Sequence, residues 1–444
     1  MSTSPVPLRA FGALACLDHD TVRAIVDRSS TTDSTVRSRT AALIEQVRTR
    51  GDAALVDFAR EFDKVTLTTL EVPRAEWDVA LASLDAGLRQ SLERAARNLA
   101  AVHAAFRPTE TVCSPEPGIT VGRRPDALPR VGIYAPGGRA AYPSSLLMGA
   151  IPARVAGVRE VIVCSPPGPD GKPSAVVLAA AALANVDRVF SLGGAGAIAA
   201  LALGTESVPR VARIMGPGNA YVAEAKLQLV NAVAIDSPAG PSELLVLADS
   251  SASADAIARE MMAQAEHDPD AAVVAVLAGH DVDALANDVR AALLAQLATA
   301  PRADVVRTSL AARGAIVTIP LLREAIAFAN EWAAEHLLLV VRDDVCDSTL
   351  AALRNAGTVF VGASSSVAYG DYMTGANHVL PTAGAGRSYS GLSTLDFVRW
   401  TTWQEVTPAA AASLADDVGR FADAEGLPAH AAAARAWLTE RGRV

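Results

Sequence analysis

A chain of 444 residues with a formal net charge of −9 and only 5% aromatic residues is long enough for two or three hydrophobic cores, and it offers no electrostatic reason to bind nucleic acid or an anionic membrane. Cys16, Cys113, Cys164 and Cys346 are far apart and form no C-x-x-C pair, which excludes a thiolate zinc knuckle or disulfide framework and fits a reducing cytoplasm. The longest apolar run, around 175–184, is too short to cross a bilayer, and the N-terminal stretch carries no secretory signal pattern.

The first 34 residues show weak periodicity and a polar cluster (Ser29, Ser30, Thr31, Thr32, Asp33, Ser34), which reads as an arm and linker. From Val36, apolar residues at helical spacing (Ala42, Leu43, Val47, then Ala54, Leu55, Phe58, Ala59) predict two amphipathic helices separated by Gly51, and 88–106 predicts a third. Arg130-Val131-Gly132-Ile133-Tyr134 reads as a buried strand running into the glycine turn Ala135-Pro136-Gly137-Gly138. Apolar runs at 160–164, 188–192 and 212–215 alternate with alanine-rich helical stretches, the pattern of parallel strands with crossover helices. A second such series follows at 244–248, 272–277, 315–319, 337–341 and 358–361. From Pro408 an alanine-rich tail carries Leu414, Val418, Phe421, Ala424 and Leu427 as an apolar stripe, with too little mass for a core of its own.

Ser253 is the predicted N-cap of a helix whose apolar face is Ile257, Met261, Met262 and Ala265. Pro269 should stop that helix at about Asp268, leaving Gln264 and His267 one turn apart at its end, as a ligand pair or as plain capping residues. Ligands in α/β proteins bind where loops leave the carboxyl ends of strands. Three glycine turns occupy such places: after Tyr134, at Gly193-Gly194-Ala195-Gly196, and at Gly216-Pro217-Gly218-Asn219. None is a full G-x-G-x-x-G, so each is equally readable as a phosphate cradle or as ordinary turn chemistry. Glu335-His336, directly before an apolar run, is a candidate general-base pair or a surface pair at a strand start. Asp371 and His378 lie in glycine-rich loops, and Glu425 and His430 lie on the tail. No H-E-x-x-H or H-x-H occurs, so a metal site would be assembled from distant segments.

These residues sit in motifs that together resemble the histidinol dehydrogenase family over nearly the whole chain. The motifs are Arg50-Gly51-Asp52-Ala53-Ala54-Leu55, Phe62-Asp63-Lys64, Tyr134-Ala135-Pro136-Gly137-Gly138, Met215-Gly216-Pro217-Gly218-Asn219-Ala220, Pro238-Ala239-Gly240-Pro241-Ser242-Glu243, Gln264-Ala265-Glu266-His267, Glu335-His336-Leu337, Gly370-Asp371-Tyr372 and Asn377-His378-Val379-Leu380-Pro381. The resemblance implies a zinc-dependent, NAD-linked enzyme that oxidises L-histidinol to L-histidine through a bound aldehyde. It implies Gln264, His267, Asp371 and a partner subunit's His430 as zinc ligands, and Glu335 and His336 as the acid/base pair. His336 would remove the alcohol proton and Glu335 would activate water. Ser242, His378 and Glu425 fall on substrate contacts, joined there by Gln264, His267, His336, Asp371 and His430, while Tyr134 and Asn219 fall on cofactor contacts. Gly196 stands where other members carry a cofactor-contacting glutamine, so that contact does not transfer.

The fold expected is α/β: two Rossmann-like domains with parallel sheets, plus small helical terminal segments exchanged across a homodimer. Its divisions would be an arm at 1–34, a discontinuous domain at 35–133 and 243–392, a second domain at 134–242 on the cofactor side, and a helical tail at 393–444. Two rivals stay open: a related dehydrogenase of another small polar alcohol, and a zinc hydrolase in which Glu335 serves a metal-bound water.

Overall fold

The computed structural model describes residues 7–28, 34–137, 141–237 and 240–439. The polar residues at 29–33, Gly138 of the first glycine turn, and Pro238 and Ala239 lie outside the described residues. The chain divides into a large unit, 1–106 with 129–397, and a small one, 107–128 with 398–444.

Two parallel sheets organise the large unit. The six-stranded sheet has the order Ala10–Ala13, Gly314–Ile319, Ala272–Ala278, Glu243–Ala248, His336–Val340, Thr358–Val361. Its central strands are apolar on both faces because helices cover both, and the side-chain alternation divides them between two cores. Leu244, Val246 and Ala248 pack with the helices Ala254–Ala265, Asp283–Leu297 and Ala303–Arg313, while Leu245 and Leu247 pack with Leu322–Trp332. The five-stranded sheet runs Arg188–Ser191, Glu160–Ser165, Arg130–Tyr134, Arg213–Met215, Ala234–Ile235, all parallel. Strand order reverses between Arg130–Tyr134 and Arg213–Met215 in this sheet, and between Glu243–Ala248 and His336–Val340 in the other. Such reversals open a crevice at a sheet edge.

The parallel α/β class agrees with the sequence reading, but four divisions differ, the tail among them. The supposed N-terminal arm contributes Ala10–Ala13 as an edge strand, paired in register with 315–318. The helices Ser34–Arg50 and Asp52–Phe58 belong with the five-stranded sheet: Ile44, Val47, Leu55 and Phe58 share a core with Ile162, Phe190 and Ile198, not with the strands from 243 onward. Asp52 ties this segment down, accepting hydrogen bonds from the hydroxyls of Thr205 and Ser207. Strand Arg130–Tyr134 pairs wholly within the five-stranded sheet, so no boundary falls at 133.

In the small unit, strands Thr111–Cys113 and Val398–Val406 flank Ile119–Ala127 in an antiparallel sheet. The helices Pro408–Ala424 and Pro428–Thr439 follow, with Thr407 capping the first through Ala410 N–H. The tail is therefore not a separate piece, since 107–128 forms part of the same sheet and 393–397 belongs to the large unit. Its inner face is Ala410, Ala412, Ala415, Gly419 and Ala422, whereas Val418, Leu427 and above all Phe421, 72% exposed, lie on the outer face of this chain. No helix among the described residues is long and apolar enough to cross a membrane.

Candidate active site

Glu335 and His336 are only 5% and 4% exposed, at the switch point of the six-stranded sheet. They stand at its amino edge, since His336 opens its strand and pairs with Leu244 at the start of the neighbouring one. The usual ligand edge of a parallel sheet is the opposite one. The surface-pair reading of Glu335-His336 is thereby ruled out for this chain.

Glu243 holds both side chains through its main chain. Its N–H donates to Glu335 Oε2 at 2.6 Å, and its carbonyl lies 3.1 Å from His336 Nδ1. A carbonyl only accepts, so Nδ1 carries the proton in this bond and Nε2 is the atom left for chemistry. His336 Nε2 is buried without a hydrogen-bond partner among the described residues and lies 3.5 Å from Asp371 Oδ1.

The helix that carries Gln264 is Ala254–Ala265, capped by Ser253 as expected but ending before Asp268. Its last turn closes as a tighter bend, with His267 N–H donating to Gln264 O, while Asp268 Oδ1 accepts Asp270 N–H and starts the exit turn. Gln264 is consequently buried, with Nε2 unpartnered among the described residues, whereas His267 lies past the helix and is exposed. Asp371 comes from the helix Val367–Tyr372, which rests on Phe360; a Cβ on Gly370 would meet that ring at 2.4 Å, so only glycine lets the helix approach. His378 Nδ1 donates to Asp371 O at 2.9 Å, and its Nε2 is 3.5 Å from Ser145 Oγ. Asn377 Nδ2 donates to Met148 O at 2.7 Å, fastening this loop to the helix Pro143–Ala156 that follows the first glycine turn. Ser242 is half-buried directly ahead of Glu243, and its carbonyl accepts Ala272 N–H.

Burial and neighbouring charge act in opposite directions on these groups. Burial raises Asp371, but His336, His378 and His267 outweigh it and hold the carboxyl below its ordinary range. Burial lowers His336, yet Glu335 and Asp371 together push it up to about 10. Burial lowers His378. Glu335 and Asp371 stand on either side of the His336 imidazole, beside the carbonyl end of the helix Ala254–Ala265, and Gln264 Nε2 and His336 Nε2 lack hydrogen-bond partners among the described residues. This donor set fits a divalent ion with N/O ligands. Among the described residues no group of three or more His, Cys, Asp or Glu side chains is placed to hold a metal; the large unit's candidates are one amide, Gln264, and only His267 and Asp371 of those types. Glu425 and His430 belong to the small unit, where both are exposed; Glu425 is the C-cap of Pro408–Ala424.

The carboxyl edge of the five-stranded sheet has the opposite polarity. At its switch point Gly216 (φ +112) would place a Cβ 2.1 Å from Tyr134 O, so glycine alone lets the two strand exits converge. The helices Gly194–Leu203 and Ala220–Leu229 begin there with their N–H ends outward. Tyr134 is buried, its hydroxyl pushed up to about 12 by burial and accepting Gly194 N–H at 3.1 Å. Asn219 Oδ1 caps the second helix through Tyr221 and Val222 N–H. Lys226 Nζ bonds both Gly216 O and Asp236 at 2.6 Å, an internal pair invisible to motif reading. A Cβ at Gly196 would meet the Phe58 ring at 2.8 Å, so this position faces packed core.

Two parallel sheets, one with a glycine-lined edge and the other with a buried carboxylate–imidazole pair, define an α/β protein with a candidate acid/base site. The family model described as histidinol dehydrogenase matches residues 26–438. Histidinol dehydrogenase of Methanosarcina mazei is 45% identical over 396 residues, covering 89% of this chain and 90% of the relative. That of Bordetella parapertussis is 46% identical over 406 residues, 91% of each chain. The crystal structure of histidinol dehydrogenase from Elizabethkingia anophelis superposes with a TM-score of 0.93 at 31% identity, covering 98% of this chain and 99% of that one. The chain belongs to the histidinol dehydrogenase family and is an NAD-dependent oxidoreductase, in agreement with the resemblance carried by the motifs.

Proposed function

We propose that this protein oxidises L-histidinol to L-histidine through L-histidinaldehyde, consuming one water and reducing two NAD+, in histidine biosynthesis. The observation that carries the site assignment is the buried pair of Glu335 and His336, both hung on the main chain of Glu243, with His336 Nε2 unpartnered. His336 Nε2 takes the alcohol proton as hydride leaves for NAD+. Glu335 then takes a proton from the water that adds to the aldehyde carbon, and the hydrate gives up the second hydride.

Gln264, His267 and Asp371 of one subunit with His430 of the other would hold zinc, which when bound orients the substrate through its imidazole and amine nitrogens. A cation held by Asp371 would offset part of the negative charge that raises His336. Ser242, His378 and Glu425 complete the substrate contacts. The nucleotide lies along the carboxyl edge of the five-stranded sheet, near Tyr134 and Asn219, where helix N-termini meet phosphate. The hydroxyl of Tyr134 and Oδ1 of Asn219 are engaged in pinning those helices, which supports a role in shaping the cradle. The outward stripe of Val418, Phe421 and Leu427 supports tail exchange in a homodimer. Four free cysteines support a reducing, cytoplasmic setting.

The test is purified protein with histidinol and excess NAD+, counting reduced nicotinamide per substrate consumed. Two are expected. One would move the assignment to a dehydrogenase of a simple alcohol, and none to a hydrolase.

A further inference from the structure

We propose that Arg28 and Glu243 are positioning residues for the reaction, a guanidinium–carboxylate pair behind the site that fixes where Glu335 and His336 stand; this rests on the acid/base reading above. Arg28 comes from the segment that reads as a linker, yet it is only 5% exposed. Its Nε and Nη2 donate to Glu243 Oε1 and Oε2 at 2.7 and 3.2 Å. Nη2 also donates to Trp332 O at 2.5 Å, Nη1 donates to Val26 O at 3.0 Å, and the guanidinium lies 3.6 Å over the Trp332 ring. Trp332 returns the contact by donating Nε1–H to Ile25 O at 3.0 Å. Ala383 N–H adds a third donor to the Glu243 carboxylate, at 2.8 Å.

Two of the elements this pair grips lead into the site. Glu243 opens one strand at the switch point, and its own N–H and C=O hold Glu335 and His336. Trp332 ends the helix whose exit passes through Ala333, in the left-handed region at φ +52, and reaches Glu335 two residues later. Arg28 therefore ties together the entries of both strands that meet at the catalytic pair, strands distant from it and from each other in sequence. A buried ion pair adds little net stability, because desolvation offsets its attraction, but a bidentate charged fork fixes direction. With the Glu243 carboxylate held by three donors, its side chain restrains the main chain that contacts both catalytic side chains.

The test compares Glu243→Gln, Arg28→Lys and the apolar double variant Arg28→Met/Glu243→Met with Glu335→Gln and His336→Asn. Near-ultraviolet circular dichroism and thermal melting report folding, and kcat and KM are measured for histidinol and for histidinaldehyde. Displacing a reacting group by about 1 Å costs on the order of 100-fold. Folded variants of the pair should therefore lose roughly 10- to 100-fold in kcat in both half-reactions while KM changes less than about 3-fold. The double variant separates positioning from stability: it should melt no lower than Glu243→Gln and still be slow. A folded Glu243→Gln or double variant with wild-type kcat overturns the proposal when Glu335→Gln and His336→Asn are slow. If those two also keep wild-type kcat, the acid/base reading itself has failed and the positioning proposal falls with it.

Discussion

Glu335→Gln separates the two half-reactions, and the structure says how. The glutamine carbonyl can take the place of Oε2, keeping the 2.6 Å bond from Glu243 N–H and the 3.4 Å approach to His336 Nδ1. Exchanging a charged acceptor for a neutral one costs about 1 kcal/mol of that bond, so the fold should hold. What disappears is the proposed base: general-base assistance is worth about 10²- to 10⁴-fold, or roughly 3–5 kcal/mol of barrier. That loss belongs to hydration of the aldehyde. The alcohol step has an opposing gain, because Glu335 is the foremost charge raising His336, and without it the imidazole gives up its proton more readily. Alcohol oxidation should therefore fall by less than about 10-fold while aldehyde oxidation falls by at least about 100-fold. The assay is stopped-flow absorbance of reduced nicotinamide in single turnovers started from histidinol or from histidinaldehyde. Equal losses in both would refute the assigned division of labour.

Chelation should abolish turnover without unfolding the protein, since the proposed ligands are N and O donors with no thiolate, and zinc or manganese should restore it; full activity with no metal by elemental analysis would remove the Gln264, His267, Asp371, His430 assignment. His103, 1% exposed with neither ring nitrogen partnered among the described residues, is lowered by burial from 6.5 to about 4. Between those values the unfolded chain binds the proton and the folded one does not, so stability is full above pH 6.5 and drains as pH falls, by about 2 kcal/mol at pH 5. His103→Leu should lose correspondingly less between pH 7 and 5 in urea unfolding, and an unchanged acid sensitivity would contradict this account. Co-expressed His430→Ala and Glu335→Ala subunits should form heterodimers with about half the wild-type activity per dimer, because one site loses both groups and the other neither; heterodimers as dead as the parents would place His430 in its own chain's site.

Apolar runs made the parallel sheets legible, because strands covered on both faces need β-branched and aliphatic residues at every position. The strand Ala10–Ala13 had no such mark: its sequence is Ala-Phe-Gly-Ala, and it joins the sheet through backbone bonds that leave no side-chain pattern. Ile119–Ala127 is equally silent, with Arg123, Arg124 and Pro125 in its middle and a partner strand that begins at Val398. The site was legible as motifs but not as geometry. Glu335-His336 reads the same whether buried or exposed, and only the flanking Glu243 main chain, Gly357 against Glu335 O and Phe360 against the imidazole decide it. Glu243 itself lies in the motif Pro238-Ala239-Gly240-Pro241-Ser242-Glu243, yet its role depends on Arg28, a residue 215 positions away in a stretch with no periodicity.

The two sheet edges differ in sign, and on the proposed reading that difference sets which molecule goes where. Parallel strands followed by returning helices put helix N-termini at the carboxyl edge and helix C-termini at the amino edge of the same sheet. The five-stranded sheet uses its carboxyl edge, where Gly194–Leu203 and Ala220–Leu229 begin and an anionic pyrophosphate is favoured. The six-stranded sheet uses its amino edge, where Ala254–Ala265 ends and Glu335 and Asp371 gather, which favours a cationic amine and a divalent ion. A single sheet cannot present both signs at one edge, whereas two sheets brought together through opposite edges can. The bond from Asn377 to Met148 and the approach of His378 to Ser145 join the segment carrying Asp371 to the helix behind the first glycine turn. On the proposed reading, this link sets the nucleotide-binding edge beside the segment carrying Asp371 without the two sharing a dipole end.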